Sequence, residues 1–251
     1  MRAAILAACA LAALAVPVRG QETHLLQRAP KKGDTERLRY LVVFEGTRPG
    51  DAAPTKIEVD LEAVSTTEEA SPQLGHTVKT RVAVSLLKLN GTPVQIPERS
   101  QEFTSVYDAA GRLKEQKFAS EADRNLGSLV LLAQPRYTPD GPLKVGESVK
   151  YTSPAGPDGK SATRGTLTLV AVEKPTDEIP VETLRLRDVS ETGDASGNGP
   201  SVRSAATYLL DPKTGALYRA EGTVTGMQNL PIPGARVTFV VTRGSQRSSR
   251  Q

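Results

Sequence analysis

Three short motifs in this chain have the residue types for acyl transfer. Ser85-Leu86-Leu87-Lys88, Ser196-Gly197-Asn198 and Lys213-Thr214-Gly215 spell S-x-x-K, S-x-N and K-T-G, a nucleophilic serine, its lysine and two accompanying motifs. The chemistry needs serine and lysine one helical turn apart, so that the amine assists the hydroxyl. Ser85 instead stands in an alternating, strand-like stretch that places it on the opposite face from Lys88. The other two motifs follow each other too closely for that fold. A strand and two turns is the reading the residues favour.

The remaining chemical motifs are equally weak. Asp194-Ala195-Ser196-Gly197-Asn198-Gly199 resembles the start of a calcium loop, but the twelfth position, where an EF-hand needs a bidentate acid, is Ala205. That stretch reads as a hairpin loop. Asn90-Gly91-Thr92 is a formal glycosylation sequon and, before that, a hairpin turn. Glu68-Glu69 and Asp177-Glu178 read as solvated charge in loops. His24 and His76 read as exposed polar residues. G-x-S-x-G, the P-loop, G-x-G-x-x-G and H-E-x-x-H do not occur. The sequence therefore predicts a protein that is not an enzyme and has no cofactor and no metal.

Composition narrows the classes further. The 251 residues include one cysteine, two histidines, six tyrosines, four phenylalanines and no tryptophan. One cysteine excludes a disulfide scaffold and a structural cysteine zinc site. A net charge of +4 gives no nucleic-acid footprint. With 38% hydrophobic and 24% charged residues the composition is globular, on the glycine- and proline-rich side.

Residues 1–20, MRAAILAACALAALAVPVRG, read as a secretory signal peptide: Arg2, an apolar run from Ala3 to Val18, then small residues before a cut at Gln21. Leu6-Ala7-Ala8-Cys9 is also lipobox-like, and lipidation at Cys9 is the alternative. Cleavage before Gln21 removes the only cysteine, and losing Arg2 and Arg19 takes the net charge from +4 to +2. No later run is long enough to span a membrane as a helix. The expected location is secreted or periplasmic.

Most of the chain alternates with a period of two, the pattern of half-buried strands. Ile57, Val59 and Leu61 oppose Lys56, Glu58, Asp60 and Glu62. Val78, Thr80, Val82, Val84 and Leu86 form a second face, Leu167, Leu169 and Ala171 a third, and Leu184 with Leu186 a fourth. Further strands are predicted at 38–45, 101–108, 113–118, 147–152, 203–210, 216–226 and 236–242. One stretch differs: Ser120-Glu121-Ala122-Asp123 is a capping-box-like start, Leu126, Leu129, Val130 and Leu132 follow at helical spacing, and Pro135 stops the run. It predicts a short helix over about 121–133, packed on a sheet face.

Two stretches echo each other. Lys32-Gly33-Asp34-Thr35 leads to Tyr40, as Lys144-Val145-Gly146-Glu147-Ser148 leads to Tyr151. Tyr107-Asp108-Ala109-Ala110-Gly111-Arg112-Leu113 resembles the run Tyr208 to Leu217 with Asp211 and Gly215. Common β-turn chemistry is the plain explanation, and internal duplication the more specific one. These motifs resemble those of a family of uncharacterised secreted bacterial β-rich proteins. More distantly, their arrangement is similar to the periplasmic lipoprotein carriers, which fold a curved antiparallel half-barrel around helices. The resemblance rests on turns, so it transfers no functional residue. This chain differs from the carriers in having one helix and few aromatic residues.

The resulting expectation is an all-β fold: a mainly antiparallel curved sheet, as a half-barrel or two packed sheets, in which duplication would give two halves, with one short helix. The predicted segments are a signal peptide at 1–20, an N-terminal segment at 21–30, β-rich halves at 31–142 and 143–243, and a basic polar tail at 244–251. The functional expectation is a non-catalytic exported protein that binds a lipid, another hydrophobic ligand or an envelope partner on the curved sheet. Val82, Val84, Leu169, Leu186 and Tyr208 are the predicted lining. The alternative is a structural or protein-interaction module of the cell envelope with the same face fully packed. Such a module would recognise partners through loops such as 227–234.

Overall fold

The computed structural model describes residues 22–26, 30–47, 50–95, 100–109, 111–132, 134–154, 161–194, 201–227 and 232–244. In chain order the elements are β1 (Thr23–His24), β2 (Thr35–Gly46), β3 (Thr55–Ser71), β4 (Gly75–Leu89), β5 (Thr92–Val94), β6 (Ser100–Tyr107) and β7 (Leu113–Phe118). Then come α1 (Glu121–Leu131), β8 (Leu143–Lys144), β9 (Ser148–Pro154), β10 (Ser161–Glu173), β11 (Thr183–Asp194), β12 (Val202–Leu210), β13 (Leu217–Thr225) and β14 (Arg236–Arg243). The predicted strands and helix are present among the described residues, and the fold is all-β.

Twelve strands make one antiparallel sheet in the order β7-β6-β4-β3-β2-β14-β13-β12-β11-β10-β9, with β5 added to β4. β1 and β8 form a separate two-residue pairing. The strands from the first half occupy one flank and those from the second half the other. β14 joins them by pairing with both β13 and β2. Alternation decides which face is inside. In β2, Leu38, Tyr40, Val42 and Phe44 are buried, while Arg37, Arg39, Leu41 and Glu45 are exposed. The outer face carries ion pairs both within a strand and between neighbouring strands. Asp60 takes both Arg39 donors, and Glu58 lies between Lys56 at 2.7 Å and Lys88 at 3.4 Å.

Two bulges correct the predicted faces. Leu61 pairs with Val84 but Asp60 pairs with Leu86, so Ser85 has no opposite number. The extra residue turns Leu86 outward, and Leu87 packs against the core in its place. In β10, Leu169 pairs with Leu186 and Ala171 with Arg185. Val170 is the extra residue there, so Ala171 leaves the apolar face and Val172 packs against the core.

The echoed turns are built alike. In the first, the Asp34 N–H donates to Lys31 O at 3.0 Å and the Lys31 N–H to Asp34 Oδ2 at 2.7 Å. In the second, the Glu147 N–H donates to Lys144 O at 2.9 Å and the Lys144 N–H to Glu147 Oε2 at 2.8 Å. Gly33 and Gly146 then donate to Thr67 O and Leu169 O, and Thr67 and Leu169 donate back to Asp34 O and Glu147 O. Gly33 and Gly146 have φ of +89° and +86°, backbone that glycine adopts without strain.

Gly75 carries a harder constraint. Its φ is +94°, and a Cβ there would lie 2.0 Å from Tyr107 O. Gly75→Ala should therefore lower the urea-unfolding free energy by at least about 3 kcal/mol, from left-handed strain plus a backbone clash. Gly33→Ala, with nothing within 4 Å of its Cβ, should cost only about 1–2 kcal/mol.

Candidate functional site

Pairing register lines up most of the predicted lining in one row across the inner face. Leu169 opposes Leu186, which opposes Tyr208, then Ala220, Val241, Tyr40, Leu61 and Val84 on successive strands. Val82 lies in the neighbouring row, opposite Ala63. Val82, Leu169, Leu186 and Tyr208 are buried, and Val84 is half-buried against the same core. The face they form is covered.

Part of the cover is α1 and residues 134–140, here called the plug. Leu126, Leu129, Val130 and Leu132 belong to or pack on the sheet's core cluster, at the spacing that gives a helix one apolar stripe. Gly127 lets the helix approach β7: a Cβ there would meet the Phe118 ring at 2.4 Å. The helix then ends in an apolar setting, where its last carbonyls need donors. Leu129 O and Leu131 O accept from the N–H groups of Leu132 and Gln134, each at 3.1 Å. Val130 O accepts from the Tyr40 hydroxyl at 3.4 Å.

Beyond the helix, the inner-face tyrosines converge on the plug. The Tyr208 hydroxyl donates to Gln134 O at 3.2 Å, and the Tyr107 hydroxyl to Gln134 Oε1 at 3.0 Å. These two tyrosines come from opposite flanks of the sheet and from the two echoed motifs. Tyr151, on the edge strand β9, stacks on Tyr137 of the plug with centroids 4.8 Å apart. Its hydroxyl donates to Asp188 Oδ1 at 2.8 Å, and Asp188 Oδ2 accepts the Arg136 N–H at 3.2 Å. Asp188 is 2% exposed. Burial raises its carboxyl above the ordinary carboxylate value, and the Tyr151 hydrogen bond opposes that rise. Burial also raises the Tyr151 and Tyr208 hydroxyls, with the nearby Asp188 charge adding to it, which keeps both as donors.

A cleft opens beside the plug, walled by Leu26, Leu38, Leu186, Leu210, Leu217 and Pro139. Glu36 and Asp211 also line it, and Glu36 Oε1 accepts the Leu217 N–H at 3.1 Å. Its volume is about 70 Å³, far below the roughly 300–1,000 Å³ of ordinary ligand pockets. Of the predicted lining residues, Leu186 alone borders it.

Several sequence readings change. His76 is buried, not exposed, and stacks on Tyr107 with centroids 4.6 Å apart. The close approach that requires Gly75 carries His76 inside with it. Asp188 was missed, although it stands two positions after Leu186 in the inward run Leu184, Leu186, Asp188, Ser190. The tyrosine positions Tyr40, Tyr107 and Tyr151 were visible only as turn markers. Ser85 donates to Asp60 O at 3.1 Å and Lys88 pairs with Glu58, so each is engaged apart from the other. Ser196, Gly197 and Asn198 lie outside the described residues. In the 227–234 loop, Ile232 is fully buried, which is core packing; residues 228–231 lie outside the described residues. Among the described residues no group of three or more His, Cys, Asp or Glu is placed to hold a metal, and no helix is long and apolar enough to cross a membrane.

Among the described residues, the geometry is one twelve-stranded sheet with a separate two-residue pairing, and a segment of the chain itself covers part of the sheet's inner apolar face. No family model and no curated protein sequence matches this chain. Among solved structures it is similar to DynF from the dynemicin biosynthesis pathway of Micromonospora chersina, over 90% of this chain and 86% of that one. The identity is 10% and the TM-score 0.23, too low to carry an argument about either protein's function.

Removing one plug contact should be measurable. Tyr208→Phe leaves Gln134 O without its donor and should lower the urea-unfolding free energy by about 1–3 kcal/mol. Tyr218→Phe, which keeps its ring under the Arg243 guanidinium, should change it by less than about 0.5 kcal/mol.

Proposed function

We propose that this protein is a non-catalytic, exported binder of an apolar ligand, which takes the place of the plug on the inner face of the sheet. The observation that carries the reading is the way the plug is held. Hydroxyls of Tyr40, Tyr107 and Tyr208 donate to its carbonyl oxygens, while its leucines and valine share one apolar core with the sheet. A ligand with an apolar chain and a carbonyl group would satisfy the same donors on the same surface. The cleft beside Leu186 supplies an entry point next to the segment that must move. The apolar leader at 1–20 is the basis for export.

A second reading has its own support. The cleft volume of about 70 Å³ fits a filled core, and with it a structural or protein-interaction module of the envelope.

Binding of dansyl-labelled undecanoic acid, followed by fluorescence, separates the two. Leu129→Ala combined with Gln134→Ala weakens the seat of the plug by about 2 kcal/mol or more while leaving the sheet's tyrosine donors in place. It should therefore tighten binding by about tenfold or more. Circular dichroism would check that the double variant is folded. Uptake by neither the wild type nor the folded double variant would overturn the ligand reading and leave the interaction module.

A further inference from the structure

We propose that Asp188 is a proton-operated latch on the plug, which seats more tightly on the sheet when the carboxyl is protonated and more loosely when it is charged. The proposal concerns regulation of the inner face described above, and rests on that reading only for its biological use. Its structural basis is the placement of one carboxyl between two bodies. Oδ1 accepts from Tyr151 of the sheet's edge strand and Oδ2 from the backbone of Arg136 in the plug. Tyr137 of the plug stacks on that same Tyr151. Lifting the plug therefore breaks the Arg136 bond, separates the ring stack and opens Asp188 to water in a single movement.

The two protonation states differ in what burial does to them. When the plug seats, a charged carboxylate gains the Arg136 donor but loses its hydration. A neutral carboxyl loses far less by burial. It can still accept from Arg136 and donate to the Tyr151 oxygen, while the Tyr151 proton turns toward Ser190, whose side chain is within hydrogen-bonding reach. Burial raises the carboxyl in the seated state, so that state binds the proton more strongly than an open, solvated one. By linkage, seating is then strongest below the ordinary carboxyl value of 3.8 and weakens as pH rises through the raised value.

The titratable and charged groups around Asp188 are few. β9 supplies Tyr151, β12 supplies Tyr208 and the plug supplies Arg136. β10 places the uncharged Leu167 opposite it. Elsewhere the plug meets Tyr107, on which His76 is stacked, and its far end carries the Arg112–Asp140 ion pair. An Asp188 variant is needed to separate these groups.

Amide hydrogen exchange read by mass spectrometry, without any ligand, measures the plug directly. Rates for peptides covering 121–142 are divided by the intrinsic exchange rate at each pH. For the wild type, the normalised rate should be at least about threefold faster at about pH 8 than at about pH 4.5, while β13 and β14 peptides stay unchanged. Asp188→Asn should abolish the difference. Tyr151→Phe removes the hydrogen bond that favours the charged form, so the transition should move to higher pH. A pH-independent wild-type plug overturns the proposal. So does an Asp188→Asn protein that keeps the wild-type profile, which would place the dependence on His76 or Asp140. Should Asp188→Asn fail to fold, an unshifted Tyr151→Phe profile is the overturning result. Because the exchange is measured without ligand, a failed latch and a failed ligand reading give separate signatures.

Discussion

A segment that crosses an apolar sheet needs donors for its carbonyl oxygens, and this requirement organises the contact between the plug and the inner face. Where such a carbonyl is buried, leaving it without a partner costs about 1–3 kcal/mol. Tyrosine meets the need with little polar cost, because its ring belongs to the core and only its tip is a donor. Tyr40, Tyr107 and Tyr208 serve the plug directly, and Tyr151 serves it through Asp188. Four of the six tyrosines in the chain thus hold one short segment. The plug is fixed by a handful of directional bonds as well as by apolar contact. That combination gives a defined seat with a definable way out of it.

The sheet supports this by keeping its two faces distinct over twelve strands. One apolar row runs in register from Leu169 to Val84, and the bulges just beyond these two residues bring Val172 and Leu87 to the core. Outside, charge is arranged in pairs. Hydrogen bonds from Lys56 and Lys79 hold the Glu58 and Glu102 carboxyls below their usual range. Such exposed pairs add little stability; they keep the outer face wet and so fix which face is the core. Asp188 departs from that division, an acid in the inner layer with a tyrosine hydroxyl and a backbone amide as its partners.

Period-two alternation made the strands and the inner face legible, because a half-buried strand must alternate. The helix was legible from its capping start, its apolar spacing and Pro135. Alternation cannot foresee a bulge, which adds one residue without changing the local pattern, and so Leu86 and Ala171 were placed on the wrong face. The site was legible only as a surface. Val84, Leu169, Leu186 and Tyr208 proved to be positions along one row, but that the plug meets Tyr208 and lies beside Leu186 depends on long-range packing. Asp188 and His76 show the same limit from the polar side. Their burial comes from a partner segment about fifty residues away for Asp188 and from a glycine-dependent close approach for His76, neither of which local polarity records.

The central claim is that the plug is seated by hydroxyl-to-carbonyl bonds from the sheet. A double-mutant cycle on Tyr107→Phe and Gln134→Ala, read by urea unfolding, tests it most directly. Their contact is 3.0 Å, so the account predicts a coupling free energy of about 1 kcal/mol. Additivity within about 0.3 kcal/mol would contradict it.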